Sequence, residues 1–186
     1  MLVLLLGVLV FVSLFGSDAG GVMLAWHGVL TAACLLVVAW DGGGQWQACV
    51  PAAMASAVLS GLVAWNLRAR VRPERFPHAL MLRLGGGLLM VTLVAIAVPA
   101  DALDVQGRLE VVAGLSAILC GLVAATVERE RARQCAALAC ALDGWLLLAG
   151  IAGRGLAVAG GCVLLGALLF MIRVTLLRDA ADGGEW

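Results

Sequence analysis

The sequence contains no lysine and no tyrosine. Without tyrosine, a common proton relay and a common membrane-interface anchor are both missing. Without lysine, all twelve basic residues are arginine, a bias that points to a GC-rich genome rather than to a mechanism. Charge of either sign is scarce, at 13% of residues, where soluble domains carry about 25%. Chemical motifs are also missing. There is no P-loop, HExxH, nucleophile elbow or dinucleotide fingerprint, and the six cysteines form no CxxC pair. Each cysteine lies in or at the end of an apolar run and reads as a small packing residue. The chain is therefore expected to hold no metal, no redox centre and no other cofactor, and to bind no nucleic acid.

What remains is hydrophobic. Apolar residues make up 63% of the 186, and the mean hydropathy is +1.08. A soluble domain of this length has too little polar surface to cover such content, so the bilayer is the expected solvent. The first apolar run has no basic residues before it and no small-x-small cleavage site. It reads as a retained span rather than a signal peptide.

A hydrocarbon core of ~30 Å takes about 20 apolar residues per helix. That ruler predicts seven helices, over 2–15, 22–40, 46–67, 78–98, 109–127, 132–151 and 155–177. Glycine clusters, Asp-Gly steps and Pro73, Pro77 and Pro99 separate them. Pro51 falls near the start of the third, where a missing N–H costs least. The expected fold class is all-α, a polytopic membrane helix bundle. Residues 1–177 form a single transmembrane domain and residues 178–186 a short cytoplasmic tail. Arginine placement orients the bundle. Arg68, Arg70, Arg72, Arg75 and Arg83 flank one connection, Arg129, Arg131 and Arg133 another, and Arg173 and Arg178 the C-terminal end. The opposite side has Arg108 and Arg154. The positive-inside rule then places the N-terminus outside and the C-terminus in the cytoplasm.

Small residues suggest close helix packing. Ala53, Ala57, Gly61 and Ala64 recur at helical spacing in the third helix, and Ala132, Ala136, Ala139 and Asp143 share a face of the sixth. Gly85-Gly86-Gly87 and Gly160-Gly161 either do the same or loosen their helices. Trp26, Trp40, Trp46 and Trp65 fall near predicted helix ends and read as an interface belt, whereas Trp145 reads as core.

Asp143 is the first candidate for chemistry. It lies eleven residues beyond Ala132, roughly 16 Å along the helix and near the bilayer midplane. An ionisable group there marks a functional site by default. Two readings stand: a group that handles protons, or a neutral acid that glues helices together. No Lys or Arg lies at a similar depth to pair with it. His27 reads either as a proton relay or as a packed or interfacial residue beside Trp26. Arg173 and Arg83 read as snorkelling lipid anchors. The basic run Arg68, Arg70, Arg72 and Arg75 suits anionic headgroups. Arg129, Arg131 and Arg133 mix with Glu128 and Glu130, and read either as a partner contact or as a solvated loop.

The elbow Glu128-Arg-Glu-Arg-Ala-Arg-Gln134 and the later step Leu142-Asp143-Gly144 resemble component E of the hydrogenase-4 and formate hydrogenlyase type membrane complexes. That family is in turn similar, over its last three helices, to the K-type subunit of complex I. The family shows an apolar helix, a charged elbow with an Arg-Gln step, and a following helix carrying Glu-Asn-Gly. The spacing from Gln134 to Gly144 fits without a gap. The resemblance implies a non-catalytic, coupling subunit of a redox-driven proton-translocating complex in a bacterial inner membrane. Its partners would be antiporter-like subunits and quinone- or hydrogenase-module subunits. It also implies that Asp143 borders a hydrophilic axis through the membrane. The sequence departs from the family at Leu142, where the family has its Glu, at Ala57, where its lysine falls, and in the last helix, which has no acid. These departures imply a mainly structural role. The alternatives are a scaffold subunit of an unrelated assembly and a small transporter. The latter is disfavoured because broken helices and several convergent midplane polar groups are lacking.

Overall fold

The computed structural model describes residues 1–15, 22–41, 46–68, 77–99 and 103–181. Among the described residues the chain is all α-helical, with seven helices: α1 (Leu2–Phe15), α2 (Val22–Asp41), α3 (Trp46–Leu67), α4 (Pro77–Ala97), α5 (Val105–Val127), α6 (Arg131–Ile151) and α7 (Gly155–Ala181). Five of them, α2, α3, α5, α6 and α7, carry stretches long and apolar enough to cross a membrane. The apolar parts of α1 and α4 are shorter. The molecule is a membrane helix bundle.

Helix ends follow local chemistry. The α5 helix starts four residues before the expected Leu109 because Asp104 caps it, accepting from the Gly107 N–H at 3.1 Å. Between α6 and α7 the chain turns at Gly153, whose φ of 66° lies in the left-handed region that glycine tolerates. The α7 helix runs on to Ala181, four residues past the predicted Leu177. Pro51 sits inside α3 beyond its first turn rather than at its start.

The α6 helix is central. It packs against α2, α3, α5 and α7. Only a narrow stripe faces outward, formed by Arg131, Leu138 and Trp145 at seven-residue spacing. Trp145 is therefore not a core residue as expected. It is 47% exposed, and its indole N–H donates to the Ala157 carbonyl of α7 at 3.1 Å. Leu146 and Leu147 fill the interior instead.

Side-chain-free surfaces set the helix spacing. A Cβ on Gly144 would lie 2.9 Å from the Gly114 carbonyl oxygen and from the Ile118 nitrogen of α5. One on Gly121 would lie 2.7 Å from the Ala137 carbonyl oxygen of α6. These contacts bring α5 and α6 into backbone contact as an antiparallel hairpin, the way helices associate where burial from water supplies no drive. The expected small-residue face of α6 is buried at Ala136, Ala139 and Asp143. On α3 the expected stripe is met in part: Ala53 and Ala64 are buried, Ala57 and Gly61 only half-buried, and nothing lies within 4 Å of a Cβ on Gly61. The buried face also takes in Ala48, Cys49, Ala52, Ser56, Ser60, Val63 and Leu67. The glycine runs split: Gly86 and Gly161 meet neighbouring side chains, and Gly85 and Gly160 face open space.

Directions follow from these contacts. Gly28 of α2 abuts Ser56 and Ser60 of α3, Gly86 of α4 abuts Val123 of α5, and Gly161 of α7 abuts Leu146 of α6. Together with Gly150 of α6 against Leu35, Ala52 and Cys49, the bonds of Arg108 to the Ala95 carbonyl and of Asp143 to His27 and Ser60, and the tight turn at Gly153, they make α2, α4 and α6 parallel, and α3, α5 and α7 antiparallel to them. We expect Gly144→Ala to lower the unfolding midpoint in detergent by an amount equivalent to about 1–3 kcal/mol, because backbone atoms of α5 have to move. Gly160→Ala, in open space, should be neutral or stabilising by up to about 1 kcal/mol. Equal midpoints for the two variants would contradict the close α5–α6 approach.

Candidate functional site: a buried Asp–His–Ser cluster

Asp143 and His27 are both fully buried, with 0% of either residue exposed. Asp143 lies twelve residues into α6 and His27 five residues into α2. The His27 Nδ1 lies 3.1 Å from Asp143 Oδ2. Asp143 Oδ1 accepts from the hydroxyls of Ser56 and Ser60 on α3, both at 2.8 Å. Ser60 Oγ also lies 2.9 Å from Oδ2. On the far side of the imidazole, Nε2 lies 2.9 Å from Ser13 Oγ of α1, and that hydroxyl lies 2.8 Å from the Leu9 carbonyl. Four helices thus supply one hydrogen-bonded cluster.

The backbone explains why these side chains meet. Ser56 and Ser60 are one turn apart, so both point to the same face of α3. Gly28 follows His27 directly, and a Cβ there would lie 2.8 Å from the Ser56 carbonyl oxygen and from Ser60 Cβ. The missing side chain lets α2 lie against α3 where the serines reach across to Asp143. Ser56 Oγ is also 3.2 Å from the Gly28 carbonyl.

Counting donors shows what the cluster can do. If Asp143 is a carboxylate, it accepts from Ser56, Ser60 and a protonated His27 Nδ1. If Asp143 carries the proton, its O–H donates to Nδ1 while Oδ1 still accepts from both serines. In each case Nε2–H donates to Ser13, and Ser13 donates to Leu9. The two placements differ by one proton along a 3.1 Å line, and both satisfy every polar atom. A buried carboxyl and imidazole so arranged can hold a proton between them without leaving an unmatched buried group.

The remaining sequence candidates are dispersed. The guanidinium carbon of Arg68 lies 5.9 Å from the Trp65 ring centroid, an exposed stack at the end of α3 that suits an interface anchor. Arg129, Arg131 and Arg173 are exposed. Arg70, Arg72 and Arg75 lie outside the described residues. Arg133 departs from expectation. It is 3% exposed, and its Nε donates to Glu130 Oε2 at 3.0 Å, so it braces the elbow from inside and is not an open lipid contact. Gln134 completes the elbow by donating to the Glu128 carbonyl at 2.7 Å.

No family model, curated protein or solved structure matches the chain. The reading of the site therefore rests on its own chemistry.

Ser13, Ser56 and Ser60 escape the sequence reading, as does His27 as the partner of Asp143. One signal was available. Ser56 and Ser60 are an i,i+4 hydroxyl pair on a helix face otherwise made of Ala, Cys, Val and Leu. Glu110 of α5 and Thr31 of α2 are further buried polar residues that the sequence reading passes over. We expect Asp143→Leu to destabilise the bundle by about 3–5 kcal/mol, because it leaves the imidazole Nδ1 and the Ser60 hydroxyl buried without their partner and Ser56 with only the Gly28 carbonyl. Asp143→Asn keeps the Oδ1 acceptor and offers an N–H to Nδ1, and should cost about 1–2 kcal/mol. Ser56→Ala or Ser60→Ala alone should cost about 0.6 kcal/mol, in line with hydrogen bonds between membrane helices. Unfolding midpoints in detergent give all four values.

Proposed function

We propose that the chain is an integral subunit of a redox-driven, proton-translocating complex of the hydrogenase-4 and complex I type in a bacterial inner membrane. It carries no redox centre of its own. Its role is to brace neighbouring proton-translocating subunits and to hold an exchangeable proton on the Asp143–His27 pair. The observation that carries this reading is the direct, fully buried contact between a carboxyl group and an imidazole, satisfied in both proton placements. An ionisable residue inside a membrane span marks a functional site by default.

Two further features support it. The end of α3, the α5–α6 elbow and the end of α7 lie at one end of the bundle, and Arg68, Arg129, Arg131, Arg133 and Arg173 cluster there. Arg108 and Arg154 occupy the other. That asymmetry favours seven crossings with the N-terminus outside and the C-terminus cytoplasmic. The basic partner also has a counterpart. Ala57 stands at the position of the resembled family's lysine and supplies no base, whereas His27 does so from α2. Leu142, at the family's Glu position, is half-buried, and Asp143 is the inward-facing acid.

A second reading is a scaffold in which the cluster only locks helices. It is favoured by the complete matching of the cluster within the chain. Assembly and proton coupling in inverted membrane vesicles separate the two. With the proton-holding reading, Asp143→Asn leaves the co-purifying subunits in place and lowers coupled proton transfer by about tenfold or more. Unchanged coupling in an intact assembly would leave the scaffold. Co-purification with no antiporter-like or quinone-module subunit would remove the hydrogenase-4 and complex I assignment.

A further inference from the structure

One polar neighbour of the pair leads outward. His27 Nε2 lies 2.9 Å from Ser13 Oγ, and Ser13 stands two residues before Phe15, the last residue of α1. Asp143, His27, Ser60 and Ser13 belong to one hydrogen-bonded cluster, so the length of helix beyond each measures its depth from the arginine-bearing end. At about 1.5 Å per residue, α6 runs about 18 Å beyond Asp143 to Arg131, and α3 about 10 Å beyond Ser60 to Leu67. The α2 helix runs about 7.5 Å beyond His27 to Val22. The α1 helix, joined to Val22 through residues 16–21, runs only about 3 Å beyond Ser13. The helix ends therefore step down toward α1 and α2, and the cover over the cluster is thinnest at Ser13. The carbonyls of the last turn of α1 have no partner within the helix and favour water there. Ser13 itself keeps 6% of its surface exposed.

The way to the opposite end is apolar and longer. Beyond Asp143, α6 carries Leu146 and Leu147, both fully buried, and Gly150 packs against Leu35 of α2 and Ala52 of α3. The shortest cover on that side is about 12 Å, from Asp143 to Ile151. Thr31 lies one turn beyond His27 in that direction, and its buried hydroxyl makes no hydrogen bond, so the bonded chain stops at the pair. Among the described residues, the titratable groups nearest in level are thiols. They are Cys120 on α5, Cys140 on α6 and Cys162 on α7, placed there by the Gly121 and Gly161 contacts. The α1 and α3 helices supply none at that level. Arg133 and Glu130 close the elbow about 15 Å or more away along α6, and Glu110 lies about 12 Å toward the far end of α5.

We propose that Ser13 is the gate through which the Asp143–His27 pair both gains and loses its proton, from the arginine-bearing end of the bundle alone. The proposal rests on the proton-holding reading above. In the loaded pair, Nε2–H donates to Ser13 Oγ, whose own hydrogen points to the Leu9 carbonyl. On release, Nε2 gives its proton to Ser13 Oγ, and the hydroxyl gives its former proton to a water molecule at the end of α1. One N–H and one O–H bond break, and two O–H bonds form, one on Ser13 and one on the water. Where Asp143 holds the second proton, that proton moves to Nδ1. The emptied site is matched as well. Asp143 accepts from Nδ1–H, Ser56 and Ser60, and Nε2 accepts from the Ser13 hydroxyl, while the Leu9 carbonyl keeps its helical N–H bond. Uptake runs the same steps backward, so one door serves entry and exit, and nothing is oxidised. The chain then stores a proton for one side of the membrane and does not by itself conduct across it.

Infrared difference spectra after a pH jump test the gate, on the full chain in phosphatidylcholine vesicles selected for an outward C-terminal tail. A caged acid, placed outside or trapped in the lumen, makes the jump on one side at a time. The bands of the pair are assigned by their loss in Asp143→Asn. They should respond to a jump outside, on the tail side, and not to one in the lumen. Ser13→Thr and Ser13→Val share one shape and differ in the hydroxyl. The threonine variant should respond as fast as the unsubstituted chain, and the valine variant about tenfold or more slower. Thr31→Val should leave the response unchanged. Equal rates in Ser13→Thr and Ser13→Val overturn the gate and leave the pair standing. A response to the lumen, or a slowed response in Thr31→Val, overturns the one-sided access. The lumen measurement uses the unsubstituted chain, so it decides the matter if the Ser13 variants do not fold. Bands of the pair that respond from neither side overturn the proton-holding reading, and the gate with it.

Discussion

The carboxyl group of Asp143 and the imidazole of His27 meet where neither has any contact with solvent or lipid. Much of the bundle's arrangement serves that contact. An isolated acid at this depth would be too costly to keep, and a lone imidazole nearly so. Together, with Ser56, Ser60 and Ser13 around them, they leave no unmatched polar atom in the cluster. The pair ties α2 to α6 and the serines tie in α3 and α1, while Gly28 beside His27 lets α2 lie against α3 and Gly144 beside Asp143 lets α5 lie against α6. Gly28 follows His27 and Gly144 follows Asp143, so each partner of the pair stands next to the point of closest helix approach.

The pair also explains why α6 is the central helix. A helix with one acid on an Ala-rich face has little to gain from lipid and much to gain from neighbours that offer donors. It is enclosed on every side except the stripe through Arg131, Leu138 and Trp145. Its other anchor is electrostatic and lies at its start. There Arg133 and Glu130 close the elbow, and Gln134 bonds the last carbonyl before it. The charged elbow is thus a folded joint, and its buried arginine belongs to the chain's own architecture.

The helices were readable from sequence because twenty-residue apolar runs, glycine clusters and prolines are strong local signals. The start of α5 moved because Asp104 caps it, and α7 ran on four residues past its predicted end. Asp143 was legible for the same local reason, as a lone acid in an apolar run. Its partner was not. His27 lies 116 residues away in the chain, and pairing across that separation depends on which faces of α2 and α6 meet. The serine donors were hidden by their chemistry, since Ser is common on close-packed membrane helices and carries no charge to mark it. Trp145 and Arg133 went the other way. Residue type suggested core for one and surface for the other, and helix rotation reversed both. A shift of one residue turns a side chain by about 100°.

The central claim is that Asp143 and His27 touch each other inside the protein. A double-mutant cycle on unfolding free energy, with His27→Leu, Asp143→Leu and the double variant, measures that contact directly. A direct pair predicts a coupling energy clearly above the ~0.6 kcal/mol typical of hydrogen bonds between membrane helices, with the double variant more stable than the sum of the single losses implies. Strictly additive losses would mean that the two side chains do not meet.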